Sequence, residues 1–188
     1  MRKRVVILAS GTGSLAQAII DAEQLDIQIV AVVSDNPNAQ VLERARAAQI
    51  NTSVVEMVAD REEWNTKLFE QVDQYHPDLV VSAGFMRILA SDFVNTFPTI
   101  NSHPALLPDF PGAHAVRDAL EAGVSVTGTT VHWVDAGVDT GPIITQMEVP
   151  VLPNDDEATL HERIKTVERG LIVATIALII PTLETNSR

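Results

Sequence analysis

Hydrophobic positions along the 188-residue chain fall into short unbroken runs, separated by stretches where they recur every three or four residues. Residues 4–9, 27–34 (IQIVAVVS) and 79–83 are continuous and rich in β-branched side chains, the pattern of strands buried on both faces. Residues 14–24 and 39–48 carry apolar positions at helical spacing. A short strand is predicted over 52–57. A helix is predicted from Asp60, an N-cap acid, until His76-Pro77-Asp78 breaks it. Strands and helices thus alternate with short connections. That predicts an α/β fold with a doubly wound, mostly parallel sheet. Ligands of such sheets sit beyond the carboxyl ends of the strands. Those ends here are Ser10-Gly11, Ser34-Asp35, Ala83-Gly84 and Ser102-His103.

The second half is less regular. In TINSHPALLPDFPG (99–112) a strand must end near His103, because Pro104, Pro108 and Pro111 lack the donor a β-ladder needs. A rigid loop should follow. Residues 114–122 read as a helix ending at Gly123, and 126–134 (VTGTTVHWV) alternate like a half-exposed strand. A polar loop, DAGVDTG, leads to a strand over about 142–149. Asp155-Asp156 caps a long last helix that stops at Pro181, with Gly170 a candidate interruption. No repeat, linker or low-complexity segment divides the chain, so a single domain over 1–188 is expected.

Composition narrows the function classes. Hydrophobic residues make up 46% of the chain, which fits a packed globular protein. Thirteen Lys and Arg stand against 25 Asp and Glu, for a net charge of −12, which argues against nucleic acid as a partner. A small anionic ligand is still compatible, because a local site can invert the global sign. There is no Cys, so disulfides, thiol nucleophiles and zinc–thiolate sites are excluded. Arg2-Lys3-Arg4 precedes only five apolar residues, Val5 to Ala9, where a signal peptide needs at least about 7. The run LIVATIALII (171–180) is short of the roughly 20 residues a bilayer span requires, so no membrane association is expected.

Four stretches could hold chemistry. SGTGS (10–14) follows a buried strand and opens a helix, where its glycines and free amides suit a phosphate. Gly11-Thr12-Gly13-Ser14-Leu15-Ala16 also fits the loose GxGxxA dinucleotide form, with Asp35 as the ribose-binding acid, so a nicotinamide-binding protein stays open at this point. Asn101 and His103 sit two apart on a strand and so share a face. There a His can act as a general acid and an Asn amide can donate to an oxyanion. The loop from Asp135 to Pro142 offers two acids, either of which, close to His103, would favour its imidazolium form. Gly84-Phe-Met-Arg-Ile-Leu89 is an apolar cluster with one Arg, suited to helix packing or to a flat hydrophobic ligand. His76, His114, His132 and His161 show no metal-ligand spacing, and no metal is expected.

Taken together and in this order, SGTGS, AGFMRIL, N-x-HPxLLPxFxG and the D-x-G-P loop resemble the formyltransferases that use 10-formyltetrahydrofolate, over nearly the whole chain. The resemblance implies a Rossmann-like formyltransferase domain, with a phosphate-binding half (1–100) and a folate and catalytic half (101–188). It implies transfer of a formyl group from 10-formyltetrahydrofolate to the amine of glycinamide ribonucleotide, a step of de novo purine biosynthesis, in the cytoplasm and without a metal. Asn101, His103 and Asp139 would form the catalytic trio. The phosphate would lie on Gly11, Thr12, Gly13 and Ser14, with Glu168 and Lys165 at the ribose and amine. The folate would meet Arg61, Met86, Arg87, Ile88, Leu89, Asp135, Ala136, Gly137 and Val138. Leu15, Lys165 and Thr140 depart from the Asn, Gln and Gly common in the family at these positions, and Leu15 implies weaker acceptor affinity. Both substrates are small molecules, and the chain would work as a monomer or homodimer. Formyltetrahydrofolate hydrolase shares the trio and stays as an alternative. Methionyl-tRNA formyltransferase, with its basic surface and added domain, fits the acidic chain less well.

Overall fold

Val5 to Leu8 are wholly buried, and their side chains alternate between two hydrophobic layers: Val5 and Ile7 on one face, Val6 and Leu8 on the other. Only a strand at the centre of a sheet covered on both faces meets that condition. The computed structural model describes residues 2–183, so Met1 and 184–188 of the expected domain lie outside the described residues. Seven strands form one sheet in the order β3-β2-β1-β4-β5-β6-β7. They are β1 (Lys3–Leu8), β2 (Ile27–Ser34), β3 (Asn51–Val54), β4 (Leu79–Ser82), β5 (Thr99–His103), β6 (Val126–Trp133) and β7 (Ile143–Pro150). The first five run parallel, whereas β6 is antiparallel to β5 and β7 to β6.

Helices α1 (Ser14–Ile20), α2 (Gln40–Ala47) and α6 (Glu157–Ile179) pack on the Val5 face. Helices α3 (Arg61–Asp73) and α4 (Ser91–Thr96) cover the Val6 face. A further helix, α5 (Ala115–Glu121), joins α6 over a smaller cluster around Val116, Val149, Leu160 and Ile164. The chain order reverses at β1, with β2 on one side and β4 on the other, which opens a crevice at their carboxyl ends.

Differences from the sequence expectation have local causes. Helix α4 lies where no helix was predicted; its six residues are under two turns, too few for a periodic signal, and only Phe93 is buried. Strand β6 is buried along nearly its whole length rather than half-exposed. Val131 packs under α6, while Thr130 donates to the Ala105 carbonyl (2.7 Å) and accepts from the Leu107 amide (3.0 Å). The proline-rich loop therefore lies over the face expected to meet water. That loop contains a cis Leu107–Pro108 peptide. Gly128 faces the same loop; a Cβ there would stand 2.5 Å from Leu106. Gly170 does not interrupt α6, because the helix buries Leu171, Ile172, Ile176 and Ile179 and starts with a capping box between Asp156 and Thr159. No helix of the described residues is long and apolar enough to cross a membrane.

Trp64 anchors the Val6 face. It is fully buried, donates Nε1–H to the Val55 carbonyl (2.9 Å) and stacks on Phe85 at 6.3 Å between centroids. Trp64→Ala should destabilise the protein by about 3–5 kcal/mol in chemical denaturation. A loss under about 1 kcal/mol would mean that this layer collapses around the gap instead of leaving a cavity.

Candidate active site

A cavity of about 710 Å³ opens at the carboxyl ends of β1, β4 and β5. The loop after β1, the segment 82–89 after β4, the end of β5, the turn after β6 and one face of α6 line it. Of the residues singled out from the sequence, Gly11 to Leu15, Met86 to Leu89, Asn101, His103, Asp135, Gly137, Val138, Asp139, Lys165 and Glu168 all reach this cavity. Arg61 and Ala136 are not among its lining residues.

Asn101 and His103 share a face of β5, and the antiparallel register of β6 sets His132 opposite Asn101 and Thr130 opposite His103. The turn after β6 folds back over this face and delivers Asp139. Its carboxylate lies between two imidazoles: Oδ2 is 3.4 Å from His103 Nδ1, and Oδ1 is 3.5 Å from His132 Nε2. Each ring is fixed from its other side by a carbonyl, Phe110 for His103 Nε2 (2.8 Å) and Trp133 for His132 Nδ1 (2.8 Å). A carbonyl can only accept, so those two nitrogens hold protons. An additional proton on either ring would therefore point at Asp139. With Nε2 unprotonated, His132 accepts from the Asn101 amide at 3.3 Å.

Gly112 N–H also donates to Asp139 (2.8 Å). Burial pushes the Asp139 carboxyl up, but the His132 and Gly112 hydrogen bonds and the charges of the two histidines outweigh it and hold it below its ordinary 3.8. Asp139 and Phe110 both adopt positive φ, at 54° and 52°, unusual for residues with a Cβ and here confined to the two loops that close on His103. Asp135 serves a different purpose. Its Oδ1 accepts from Gly137 N (3.0 Å) and Thr140 Oγ1 (2.8 Å) and so closes the turn that presents Asp139. The departure at Thr140 thus adds a brace to that turn.

At the opposite wall, the loop after β1 is tied to α2. Val41 N–H donates to the Gly11 carbonyl (3.2 Å) and Arg44 Nε to the Thr12 carbonyl (2.8 Å). Gly13 adopts φ 73°, and a Cβ there would collide with Val41 at 2.4 Å. Glycine is required at this position on both counts. Gly13 supplies no side-chain cap to α1. Glu168 reaches in from α6 and accepts from Ser102 Oγ (2.8 Å). Burial raises its pKa more than the bonds from Ser102 and Thr129 and the charges of Lys165 and Arg169 lower it. Lys165 lines the cavity with its stem while its ammonium pairs with Glu162 (2.7 Å).

The segment 84–89 forms the third wall. Phe85 and Leu89 are buried, whereas Met86 and Ile88 are 70% and 59% exposed; Val138 across the cavity is 47% exposed. Arg61 sits behind this wall. Its guanidinium lies 4.6 Å from the Trp64 ring centroid and donates to the Ile88 carbonyl. Asp35 is buried and paired with Arg87 (2.5 Å). It does not line the cavity, so the ribose-binding role of the dinucleotide reading has no residue to perform it.

Sequence reasoning missed His132, set aside there for want of metal-ligand spacing. Its one signal is its place on a strand whose register the sequence does not reveal. Ser10, whose Oγ accepts from Met86 N–H (2.8 Å), and Arg44 were missed likewise.

A carboxyl with lowered pKa contributes stability that is present above its unfolded value and lost as pH falls through the folded one. Unfolding free energies of the wild type and Asp139→Asn should therefore differ by a constant amount at neutral pH, and the gap should narrow below pH 3.8. A gap independent of pH would show that the Asp139 charge does not favour the folded state.

Comparison with known proteins agrees with this geometry. The family described as formyl transferase matches residues 3–176. Over 180 residues the chain is 51% identical to phosphoribosylglycinamide formyltransferase of Mycobacterium tuberculosis, covering 93% of this chain and 83% of that one. It is 40% identical to the human trifunctional purine biosynthetic protein adenosine-3, covering 95% of this chain and 18% of that one. Among solved structures, glycinamide ribonucleotide transformylase 1 of Symbiobacterium toebii superposes with a TM-score of 0.93 at 38% identity, over 98% of this chain and 92% of that one. Phosphoribosylglycinamide formyltransferase of Brucella melitensis superposes with a TM-score of 0.89 at 37% identity, over the full length of both. The chain belongs to the formyl transferase family.

Proposed function

We propose that this protein transfers a formyl group from 10-formyltetrahydrofolate to the amine of glycinamide ribonucleotide, as a step of purine biosynthesis. The observation that supports this reading best is the placement of Asn101, His103 and Asp139 on one cavity, between a glycine loop suited to phosphate and an apolar wall suited to a flat ring. The folate supplies the formyl carbon that the amine attacks. His103 and Asn101 are the donors for the oxygen on which negative charge develops. His103 Nε2–H now meets the Phe110 carbonyl, and that donor is the one a substrate oxygen would take over. Asp139 stabilises the charged ring and keeps its second proton at Nδ1.

The phosphate lies on the amides of Gly11, Thr12, Gly13 and Ser14, and Glu168 and Lys165 bound the ribose and amine. Met86, Ile88, Leu89 and Val138 enclose the pterin. Arg87, Asp135, Ala136 and Gly137 shape that pocket, and Arg61 supports it from behind. Exposed Met86 and Ile88 facing Val138 across an open cavity match a flat, mostly apolar group. The catalytic centre stands on β5 and β6, while its two binding walls come mainly from residues before 100, so we read the chain as one formyltransferase domain. It would act in the cytoplasm on small molecules, as a monomer or homodimer. In formyl-tetrahydrofolate hydrolysis the same trio would serve water.

Release of tetrahydrofolate from 10-formyltetrahydrofolate should require glycinamide ribonucleotide. Release at equal rate without the ribonucleotide would make the chain a hydrolase. His103→Ala should lower kcat/KM by roughly 10²–10⁴-fold while thermal stability stays near that of the wild type. Wild-type turnover in that variant would remove His103 from the mechanism.

A further inference from the structure

Asp35 is the one residue prominent in the sequence that the formyl-transfer reading leaves without a task. It ends β2, two strands away from the catalytic residues, and its side chain is only 3% exposed. Its Oδ2 meets Arg87 Nε at 2.5 Å. Among the described residues, its Oδ1 is buried with no hydrogen-bond partner. A buried carboxylate is costly unless paired, so this one depends on Arg87. Arg87 is the only residue of 84–89 with a long charged side chain, and it stands between the two apolar side chains, Met86 and Ile88, that project at the cavity.

The segment has no regular secondary structure. Its ends are fixed by Phe85 and Leu89 in the core, and its backbone by Ser10, through the Gly84 carbonyl (3.1 Å) and the Met86 amide (2.8 Å), and by Arg61 at the Ile88 carbonyl. Arg87 at the centre is fastened through its side chain alone, and Asp35 is what fastens it. We propose that Asp35 is a positioning residue for the folate: by holding Arg87 it sets the middle of the 84–89 wall against which the ring system packs. The proposal rests on the folate reading of the site. It gives the acid at the end of β2 a structural reason unrelated to a nucleotide ribose.

The test is a double-mutant cycle read by tetrahydrofolate binding in isothermal titration calorimetry. Asp35→Asn keeps the shape and removes the charge. It should weaken tetrahydrofolate about tenfold, with the KM for glycinamide ribonucleotide within about twofold of wild type. Arg87→Met should weaken tetrahydrofolate as well, and adding Asp35→Asn to it should cost nothing further, because Asp35 acts through Arg87 alone. Unchanged affinity in Asp35→Asn, or an equal loss in the Arg87→Met background, overturns the proposal. Amide hydrogen exchange of 84–89 without ligand gives a second reading. In Arg87→Met this segment should exchange faster while β1 and β4 do not, and this holds even if Asp35→Asn fails to fold. Exchange like that of wild type overturns the proposal. If wild type binds no tetrahydrofolate, the folate reading fails, and exchange in the variants still decides whether the ion pair fixes the wall.

Discussion

The pairing of β6 against β5 in antiparallel register is the constraint on which the active site depends. A parallel sheet ending at β5 would present Asn101 and His103 alone at its edge. Adding β6 brings His132 beside Asn101 and Thr130 beside His103, and it launches the turn that returns Asp139 to both rings. The pairing also buries the threonine-rich strand. Thr130 uses its hydroxyl to hold the proline-rich loop, whose Phe110 carbonyl and Gly112 amide then orient His103 and Asp139. One ladder thus connects the sheet, the loop after β5 and the carboxylate. Misregister by one residue would send His132 to the opposite face.

Electrostatics in the site run against the rest of the molecule. The chain has a net charge of −12, yet the cavity gathers His103, His132, His161, Arg87 and Lys165 around Asp139 and Glu168. The two acids behave in opposite ways for a clear reason. Asp139 has two imidazoles and a backbone amide to stabilise its charge, and its pKa falls. Glu168 has hydroxyl partners and more distant cations, and burial prevails. An anionic substrate entering here meets a surface whose negative charge has been locally offset.

The three walls differ in how they are made rigid, and their sequences show it. The glycine loop is fixed by backbone pairing to α2 and by the lack of space beside Gly13. The turn from Asp135 to Gly141 is closed by its own side chains, with Gly141 pressed on the Trp133 carbonyl. The 84–89 wall has neither device. Residues distant in sequence hold it: Ser10, Asp35, Arg61 and the Trp64 ring under Phe85.

Much of this was legible without coordinates. Continuous β-branched runs alternating with helical spacing specify a parallel, doubly covered sheet, because few other arrangements bury such strands. Glycines after β1 and prolines after β5 mark where the backbone must turn. Asn101, His103 and Asp139 stand in motifs whose residue types suit only a few kinds of chemistry. The rest needed the tertiary structure, since it consists of contacts between residues far apart along the chain. His132 looked idle because strand register cannot be read from VTGTTVHWV. The burial of β6 was invisible because its cover, the proline-rich loop, comes from another part of the sequence. Asp35 fitted a nucleotide pattern until Arg87, 52 residues later, was found against it. Local pattern determined the elements and the reactive residue types; side chains packed across the sheet decided which acid meets which base and what holds each wall, because those energies depend on distances that sequence separation does not encode.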